Sequence, residues 1–308
     1  MPSPRAHRTV ARLSTLTASV MFVLIVVGSI VRTTGSGLSC PDWPLCHGQL
    51  IPPMQFNIFM EWFHRLLALL VGLLLAGTTA AIVLGRETRA RYGGLAALSV
   101  ALYFSQALLG ALTVWKLLDP SVVSGHLAVG LILFGVLVTI GTLAHGEGEA
   151  KSDVARPGGL LQLFALATVL VWFQAVLGGM VSTNYASLAC PDWPTCNGQW
   201  FPRIEGLVGL QVLHRYGAYL LTLVLLTTVV AAERAPQARV RELVRLAAVL
   251  VLLQIGVGVA NVLMGIPVWV SALHLGNAAA IMAVMLIATL RVAALPAEAP
   301  RLAGMVAR

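Results

Sequence analysis

Four of the seven histidines recur at matched positions in the two halves of the chain. His64 and His126 lie in the first half, and His214 and His274 lie in the second, each a few residues inside a long apolar run. Two histidines at equal depth on two helices of one bundle suit axial ligation of a haem that stands between them. A lone histidine in a membrane helix is as readily explained as a hydrogen-bonded packing residue. Four histidines in two matched pairs favour two haem sites.

An acidic residue precedes the first of these histidines and has no acidic counterpart in the second half. Glu61 lies three residues before His64, so both side chains share one helix face, whereas Gln211 holds the matching place before His214. An ionisable side chain in a membrane helix is costly and is a functional candidate by default. The alternative is a carboxylate that only pairs with Arg65 or Arg32. The asymmetry predicts that the first half performs chemistry with Glu61 as its catalytic group, while the second half holds a cofactor.

One arginine directly follows the first histidine of each pair. Arg65 and Arg215 could bind haem propionates through charge-assisted hydrogen bonds, although arginines at helix ends that extend toward the membrane surface would explain them almost as well. A third arginine, Arg32, stands where the second half has Ser182. The first half therefore keeps more ionisable groups near its histidines than the second half does.

The composition shows what kind of element positions these residues. The 308 residues are 58% hydrophobic and only 10% charged, against roughly 25% charged in an ordinary soluble protein. A soluble enzyme, a disordered chain and a nucleic-acid binder with basic patches are all excluded. A membrane-spanning helix needs about 20 mostly apolar residues. Eight runs meet this requirement: 12–32, 60–85, 92–115, 122–145, 158–181, 207–232, 243–264 and 269–292.

The basic residues predict how the chain crosses the membrane. Most of the 20 Lys and Arg residues lie before the first run, at 86–91, at 146–157, at 234–245 and in the tail, and short loops rich in Lys and Arg face the cytoplasm. Both termini are therefore predicted to be cytoplasmic, and the longer loops 33–59 and 182–206 are predicted to face outward. In a bacterium this topology corresponds to a multi-pass protein of the inner (plasma) membrane, surrounded by lipid.

An internal repeat divides the chain into two similar units. Residues 40–49 match residues 190–199 in eight of ten positions at an offset of 150, and further on the offset is 148. Each unit holds four predicted helices, and because four is even, both units enter the membrane in the same direction. We therefore predict an all-α membrane protein of eight transmembrane helices, arranged as two parallel-repeat four-helix bundles. The predicted divisions are 1–145, a cytoplasmic linker at 146–157, and 158–308.

The four cysteines form two pairs with identical spacing in the predicted outward loops. On the oxidising side of the membrane thiols readily form disulfides, so we expect Cys40 to bond to Cys46 and Cys190 to bond to Cys196. Either a purely structural link or a redox-active pair near the substrate would suit this placement.

Taken together, these residues resemble the haem A synthase family, over residues 12–292. The resemblance rests on the eight spans, the four paired histidines, the Glu61-x-x-His64 motif and the cysteine-bracketed loops. It implies oxidation of the C8 methyl group of haem O to a formyl group, which gives haem A for aa3-type cytochrome oxidases. It also implies haem O as substrate near His64 and His126, haem B as cofactor on His214 and His274, and Glu61 as the essential acidic residue.

The resemblance further implies partners, and two other functions compete with it. An electron acceptor and the haem O synthase (farnesyltransferase) are candidate partners, and a homo-oligomer is compatible with the sequence. A diheme cytochrome b-like electron carrier explains four histidines equally well, but it has no need of a single acidic half. A transporter built from parallel repeats would place its ionisable residues at the membrane midplane, whereas here they cluster near the outer helix ends.

Overall fold

A computed structural model describes residues 4–146 and 154–297. All the long elements in those ranges are α-helices, and each is long and apolar enough to cross a membrane. The eight helices are α1 (Pro4–Thr33), α2 (Phe56–Leu84), α3 (Arg86–Trp115), α4 (Pro120–His145), α5 (Leu160–Thr183), α6 (Gly206–Ala232), α7 (Ala238–Leu263) and α8 (Val268–Ala293). The eight predicted spans are thereby confirmed.

Three helices begin five or more residues before the predicted apolar runs. The predicted loop 86–91 is wrong, because α3 begins at Arg86 and only Gly85 separates it from α2. The helix α1 likewise begins at Pro4, and α7 begins at Ala238 inside the predicted loop 234–245. Arginine and glutamate are good helix formers, so these helices continue through polar turns that a hydropathy pattern excludes.

The helices pack mainly within two groups of four. In the first group α1 and α3 each pack against α2 and α4, and in the second group α5 and α7 each pack against α6 and α8. Contacts between the groups are made by α1 with α8 and by α4 with α5 and α8. These helices therefore form the seam between the groups, while α3 and α7 lie on the periphery.

The connections at one end of the bundle position the candidate residues. We call residues 34–55 and 184–205 the disulfide loops; they join α1 to α2 and α5 to α6. Asp119 begins α4 at the same end, because its carboxylate accepts hydrogen bonds from the backbone amides of Ser121 and Val122 and Pro120 occupies the first turn. All four paired histidines therefore lie in the helix halves nearest the disulfide loops.

The opposite end holds the predicted linker, of which residues 147–153 lie outside the described residues. Its last part packs against the end of α8, since the backbone amide of Arg156 donates to the Pro296 carbonyl at 2.8 Å. Residues 1–3 and the tail from 298, which entered the prediction of the cytoplasmic side, also lie outside the described ranges.

Candidate functional site

One cavity of about 1050 Å³ contacts every candidate residue that the sequence singled out for haem or for chemistry. Side chains from both helix groups line it, and it reaches the disulfide loops. The candidate residues on its wall are Glu61, His64, Arg65, His126, His214, Arg215 and His274. Binding sites for one small molecule occupy about 300–1,000 Å³, so this cavity is at the upper limit for a single ligand.

A glycine on the neighbouring helix faces each of the four imidazoles. Gly28 on α1 faces His64, and Gly178, its counterpart on α5, faces His214. A Cβ atom added at Gly28 would lie 3.1 Å from Cε1 of the ring, and one added at Gly178 would lie only 2.8 Å away. Each imidazole therefore occupies space that the side chain of any other residue type at the glycine position would fill.

His126 and His274 also face glycines on neighbouring helices, and these two glycines are 148 residues apart in the sequence. Gly110 on α3 faces His126 with a prospective Cβ–Cε1 distance of 3.5 Å, and Gly258 on α7 faces His274 at 2.9 Å. The four glycines make the ring edges fit against the helices, which restricts the orientation of every imidazole.

Glutamines fix the backbone next to the histidines of α4 and α8. The side-chain amide of Gln106 donates to the carbonyl of His126 at 2.9 Å, and that of Gln254 donates to the carbonyl of His274 at 3.0 Å. Both are hydrogen bonds between neighbouring helices, α3 to α4 and α7 to α8. They leave the imidazole nitrogens themselves free.

Most of the ring nitrogens have no hydrogen-bond partner among the described residues. Nδ1 is buried and unpartnered in His64, His126 and His274. In His214, Nδ1 lies 3.0 Å from the amide nitrogen of Gln174. No described residue bonds to Nε2 of any of the four rings, so this atom is available to a ligand in the cavity.

The two histidines of the second half face one another across the cavity. The ring centroids of His214 and His274 are 6.4 Å apart, and the ring planes are inclined by 70°. Two imidazoles on opposite sides of one metal ion, each with a metal–nitrogen bond of about 2 Å, have ring centres roughly 6 Å apart. The spacing of this pair therefore fits one metal atom between the rings.

Glu61 is buried and ion-paired beside the first histidine pair. Its Oε1 accepts a hydrogen bond from Arg65 Nη2 at 2.6 Å, and its Oε2 accepts one from the backbone amide of Cys40 at 2.8 Å. Only 4% of the residue is exposed. The carboxylate thus connects α2 to the first disulfide loop, and the pairing with Arg65 that the sequence offered as an alternative is present.

The same position in the second half makes weaker contacts. The amide of Gln211 donates to the Ser187 carbonyl at 3.2 Å, and its own oxygen is buried without a partner among the described residues. Four residues later, Arg215 donates to the carbonyls of Thr195 and Cys190 at 2.8 and 2.7 Å, and no acidic side chain pairs with it among the described residues. A buried charge pair is therefore a property of the first half alone at this position.

Arg65 and Arg215, the candidate partners of haem propionates, each donate hydrogen bonds to a disulfide loop. In addition to Glu61, Arg65 donates to the carbonyls of Asp42, Leu45 and Cys40 at 2.5 to 3.0 Å. Arg215 makes two of the three equivalent contacts with the second loop, to the carbonyls of Thr195 and Cys190. These bonds fold each loop over the cavity, and both guanidinium groups also border the cavity.

The two disulfide loops share one internal structure. Disulfides join Cys40 to Cys46 and Cys190 to Cys196, with Cα–Cα distances of 4.7 and 4.6 Å. The carboxylate of Asp42 accepts hydrogen bonds from the amides of residues 47 and 48, and Asp192 does the same with residues 197 and 198. The repeated sequence therefore encodes two loops that satisfy their own polar groups.

Hydrogen bonds within the loops lower the pKa values of both partly exposed carboxyl groups. The pKa of Asp42 lies below its usual value of 3.8, chiefly because the amide of Gly48 stabilises the anion. The pKa of Asp192 is lowered further, first by the hydroxyl of Thr195 and then by the amide of Gly198.

Arg32 links the two helix groups at the loop end. Its guanidinium donates to the carbonyl of Ser182, which is its own counterpart in the repeat, at 2.7 Å. It also lies 4.4 Å from the ring centroid of Tyr185, a cation–π contact. Arg32 therefore does not pair with Glu61, and it contributes to the contact between the halves.

Sequence reasoning missed three residues that contact the imidazoles: Gly28, Gly178 and Gln174. The repeat contained the signal for the two glycines, because both occur at the offset of 150 that relates the histidines of α2 and α6. Gln174 breaks the repeat, since the matching residue of the first half is Leu24. Glu61 was selected because its counterpart in the second half is a different residue. The same comparison between the halves, applied to every polar residue, would also have selected Gln174.

Fold and site together define a class: a helical membrane protein with paired histidines and a disulfide-bonded loop above each pair. A sequence model of the COX15-CtaA family, described as cytochrome oxidase assembly protein, matches residues 11–58 and 53–286. The chain belongs to this family and is a multi-pass membrane protein.

Curated relatives in several bacteria have similar sequences over most of their length. The "Heme A synthase" of Halalkalibacterium halodurans is 30% identical over 87% of this chain and 92% of the relative. The "Heme A synthase" of Shouchella clausii is 31% identical over 81% of this chain and 84% of the relative. A third, from Symbiobacterium thermophilum, is 31% identical over 68% of this chain and 70% of the relative. The family indicated by the sequence motifs is thereby confirmed.

Proposed function

We propose that this protein is a haem A synthase, an oxidoreductase that converts the C8 methyl group of haem O into a formyl group. Membership of the cytochrome oxidase assembly family, with relatives named for this activity across most of the chain, is the observation that carries the proposal. The product, haem A, is the haem of aa3-type cytochrome oxidases. Haem O is the substrate, and the reaction takes place within the membrane.

We propose that His64 and His126 bind the substrate haem O, while His214 and His274 bind haem B. The 6.4 Å ring spacing of the second pair supports iron ligation there. The unpartnered Nε2 atoms and the facing glycines support it in both halves. Bound haem B would supply one-electron transfer to and from the site.

The proposed division follows from these assignments. Residues 1–145 form the half that carries out chemistry, residues 158–308 form the half that holds haem B, and 146–157 join them. The distribution of Lys and Arg supports an inner-membrane protein with both termini in the cytoplasm and the disulfide loops outside. An electron acceptor is required because the reaction is an oxidation, and the haem O synthase that supplies the substrate is the expected neighbour.

Glu61 is the proposed catalytic residue. Each of the two oxidations, from the methyl group to a hydroxymethyl group and from this group to a gem-diol that then loses water, takes its oxygen from one water molecule. Each passes two electrons to the electron acceptor, releases two protons and develops positive charge at the reacting carbon. Each carboxylate oxygen of Glu61 uses one acceptor site, on Arg65 or on the Cys40 amide, and keeps another lone pair. The group can therefore accept a proton or stabilise that charge while it stays in place.

Arg65 and Arg215 are proposed to bind propionates in addition to their loops. Both border the cavity next to a ligand histidine, and a guanidinium group has five N–H donors. Arg215 uses two of its nitrogens on loop carbonyls, so donors remain for a carboxylate.

The test is mass spectrometry of haems extracted from protein made in cells that also produce haem O. Haem A or the hydroxymethyl intermediate is expected beside haem B. Loss of the carboxylate in Glu61→Gln is expected to lower haem A formation about 10²- to 10⁴-fold, the usual contribution of a general acid or base. Gln211→Glu, at the matching place in the second half, is the control and should not raise haem A formation.

Two outcomes would contradict these assignments. Haem B alone in both halves, with haem O present and unchanged, would identify an electron carrier in place of an enzyme. Normal haem A output in Glu61→Gln would exclude a charge or proton role. Because that variant leaves Arg65 buried without its partner, the double variant Glu61→Gln/Arg65→Met is measured beside it, with the haem B content as a check on folding.

A further inference from the structure

Among the four candidate iron ligands, His214 alone has a ring nitrogen hydrogen-bonded to a described side chain. The amide nitrogen of Gln174, on α5, lies 3.0 Å from its Nδ1 and 2.7 Å from its backbone carbonyl. The corresponding nitrogen of His64 is buried and unpartnered. The two halves therefore hold the equivalent histidine differently.

Two complementary changes between the halves create this contact. At the position of Gln174 the first half has Leu24, and at the position of Gly217 it has Leu67. A Cβ atom at Gly217 would lie 2.3 Å from the amide oxygen of Gln174, so this amide fits only where residue 217 lacks a side chain. The first half fills the same space with two leucines, both in the main buried apolar cluster.

The polar support continues on the other side of the second half. The amide of Asn277 donates to the oxygen of Gln254 at 2.7 Å, and Gln254 in turn holds the carbonyl of His274. In the first half the position of Asn277 is occupied by Val129. Each histidine of the second half thus has one polar residue more in its support than its counterpart, Gln174 directly at His214 and Asn277 behind Gln254 at His274, where the first half has an aliphatic residue.

The chemistry of a metal-bound imidazole explains what such a neighbour does. When Nε2 binds a metal, Nδ1 carries the proton, and a hydrogen-bond partner for that proton fixes the ring and makes it a more basic ligand. A carboxamide offers an acceptor oxygen as well as a donor nitrogen, and a half-turn of the amide exchanges them. To accept the Nδ1 proton of a metal-bound His214, the amide of Gln174 has to turn its oxygen toward the ring and give up the bond that its nitrogen makes to the His214 carbonyl. Leu24 offers no such group to His64.

We propose that Gln174 is a positioning residue for the haem of the second half, and that its replacement by leucine in the first half leaves the substrate haem less firmly held. A more basic ligand favours ferric over ferrous iron, so Gln174 lowers the reduction potential of the second haem and slows its loss. The first half has to release its product, and an imidazole without this support suits release. This inference rests on the proposed function.

The test compares Gln174→Leu with Gln174→Glu in purified, haem-loaded protein. A His64→Ala background removes a ligand of the first half, so that the measured haem is that of the second. Loss of an outer partner of a metal ligand typically weakens metal binding 10- to 100-fold, and haem transfer to apomyoglobin should accelerate to this extent in Gln174→Leu. For a one-electron couple each tenfold change in ferric-to-ferrous preference shifts the midpoint potential by about 59 mV.

The two variants should shift the potential in opposite directions. Gln174→Leu removes the acceptor and raises the potential, whereas Gln174→Glu supplies a stronger acceptor and lowers it. A purely structural role would change the potential in the same direction in both variants, or leave it unchanged, and either result would overturn the inference. If instead the unaltered protein binds no haem through His214 and His274, the proposed assignment of this site fails, and the inference fails with it; haem bound there with the same potential in both variants would overturn the inference alone.

The reverse exchange tests the same idea in the first half. Leu24→Gln combined with Leu67→Gly recreates the amide and the space that it needs, with Leu67→Gly alone as the control. Haem release from the first half should become slower in the double variant than in the control. Equal release rates would contradict the role assigned to the amide.

Discussion

Substituting alanine for the glycine that faces each imidazole should impair haem binding in an order set by the available space. The added Cβ would lie 2.8 Å from the ring at Gly178, 2.9 Å at Gly258, 3.1 Å at Gly28 and 3.5 Å at Gly110. Ordinary carbon–carbon contacts are about 3.5–4.0 Å. The first two variants therefore require a ring shift of at least about 0.6 Å, while the last requires almost none.

A shift of this size matters more for ligation than for folding. Metal–ligand distances vary by only about 0.2 Å in good sites, so the displaced rings of the second half should bind iron poorly. Overpacking costs roughly 1–3 kcal/mol, and replacing a helical glycine by alanine returns about 0.5–1 kcal/mol. The net change in unfolding free energy is small, and the variants should fold.

The assay is the haem-to-protein ratio of purified variants, together with the low-spin absorption spectrum. Gly178→Ala and Gly258→Ala should lose haem from the second half, Gly28→Ala should weaken the first, and Gly110→Ala should resemble the unaltered protein. Gly125→Ala is a further control, because nothing lies within 4 Å of its prospective Cβ. Full haem content in Gly178→Ala and Gly258→Ala would refute the assignment of these rings as iron ligands held against the helices.

Two further predictions concern the disulfide loops. Arg215→Met should destabilise its loop by about 1–3 kcal/mol, since hydrogen bonds from a charged group to loop carbonyls are lost. Arg65→Met should cost more stability, because Glu61 also loses its partner. Thermal unfolding in detergent measures both variants, and a larger loss in Arg215→Met would contradict the contacts described for the two arginines. Because the pKa of Asp42 and Asp192 is lowered in the folded loops, their contribution to stability is fully present above the usual value of 3.8 and is lost as the pH falls through the lowered values. Limited proteolysis of the loops should therefore accelerate only below that pH, and Asp42→Asn should make cleavage of the first loop independent of pH in this range.

The helices were predictable because apolar length alone identifies a membrane span. Hydropathy located the eight runs but not their ends: α3 begins at Arg86 and α1 at Pro4, since a helix continues through charged residues that no apolar pattern contains. The repeat likewise identified the histidine pairs, because each histidine of the first half recurs at the matching position of the second half.

The surroundings of the histidines were less predictable. That Gly178 touches one imidazole and Gln174 bonds to it depends on which helices are neighbours and how they are rotated, and periodicity within one helix does not contain that information. The partners of Arg65 were hidden for a related reason. They are backbone carbonyls of a loop, and a backbone carbonyl has no signature in the sequence.

The uneven burial of the eight helices bears on how such a chain can diverge. About half of the apolar core of α4 and of α8 is buried within the protein, but only 17% of that of α3 and of α7. At the exposed apolar positions of these two outer helices, exchange of one apolar side chain for another leaves contacts within the protein unchanged, so neutral drift should accumulate there. Selection acts on the inward-facing stripe of each helix, marked by Gln106 and Gly110 and by Gln254 and Gly258. Distant lineages could thus replace much of their sequence while they inherit the same cavity.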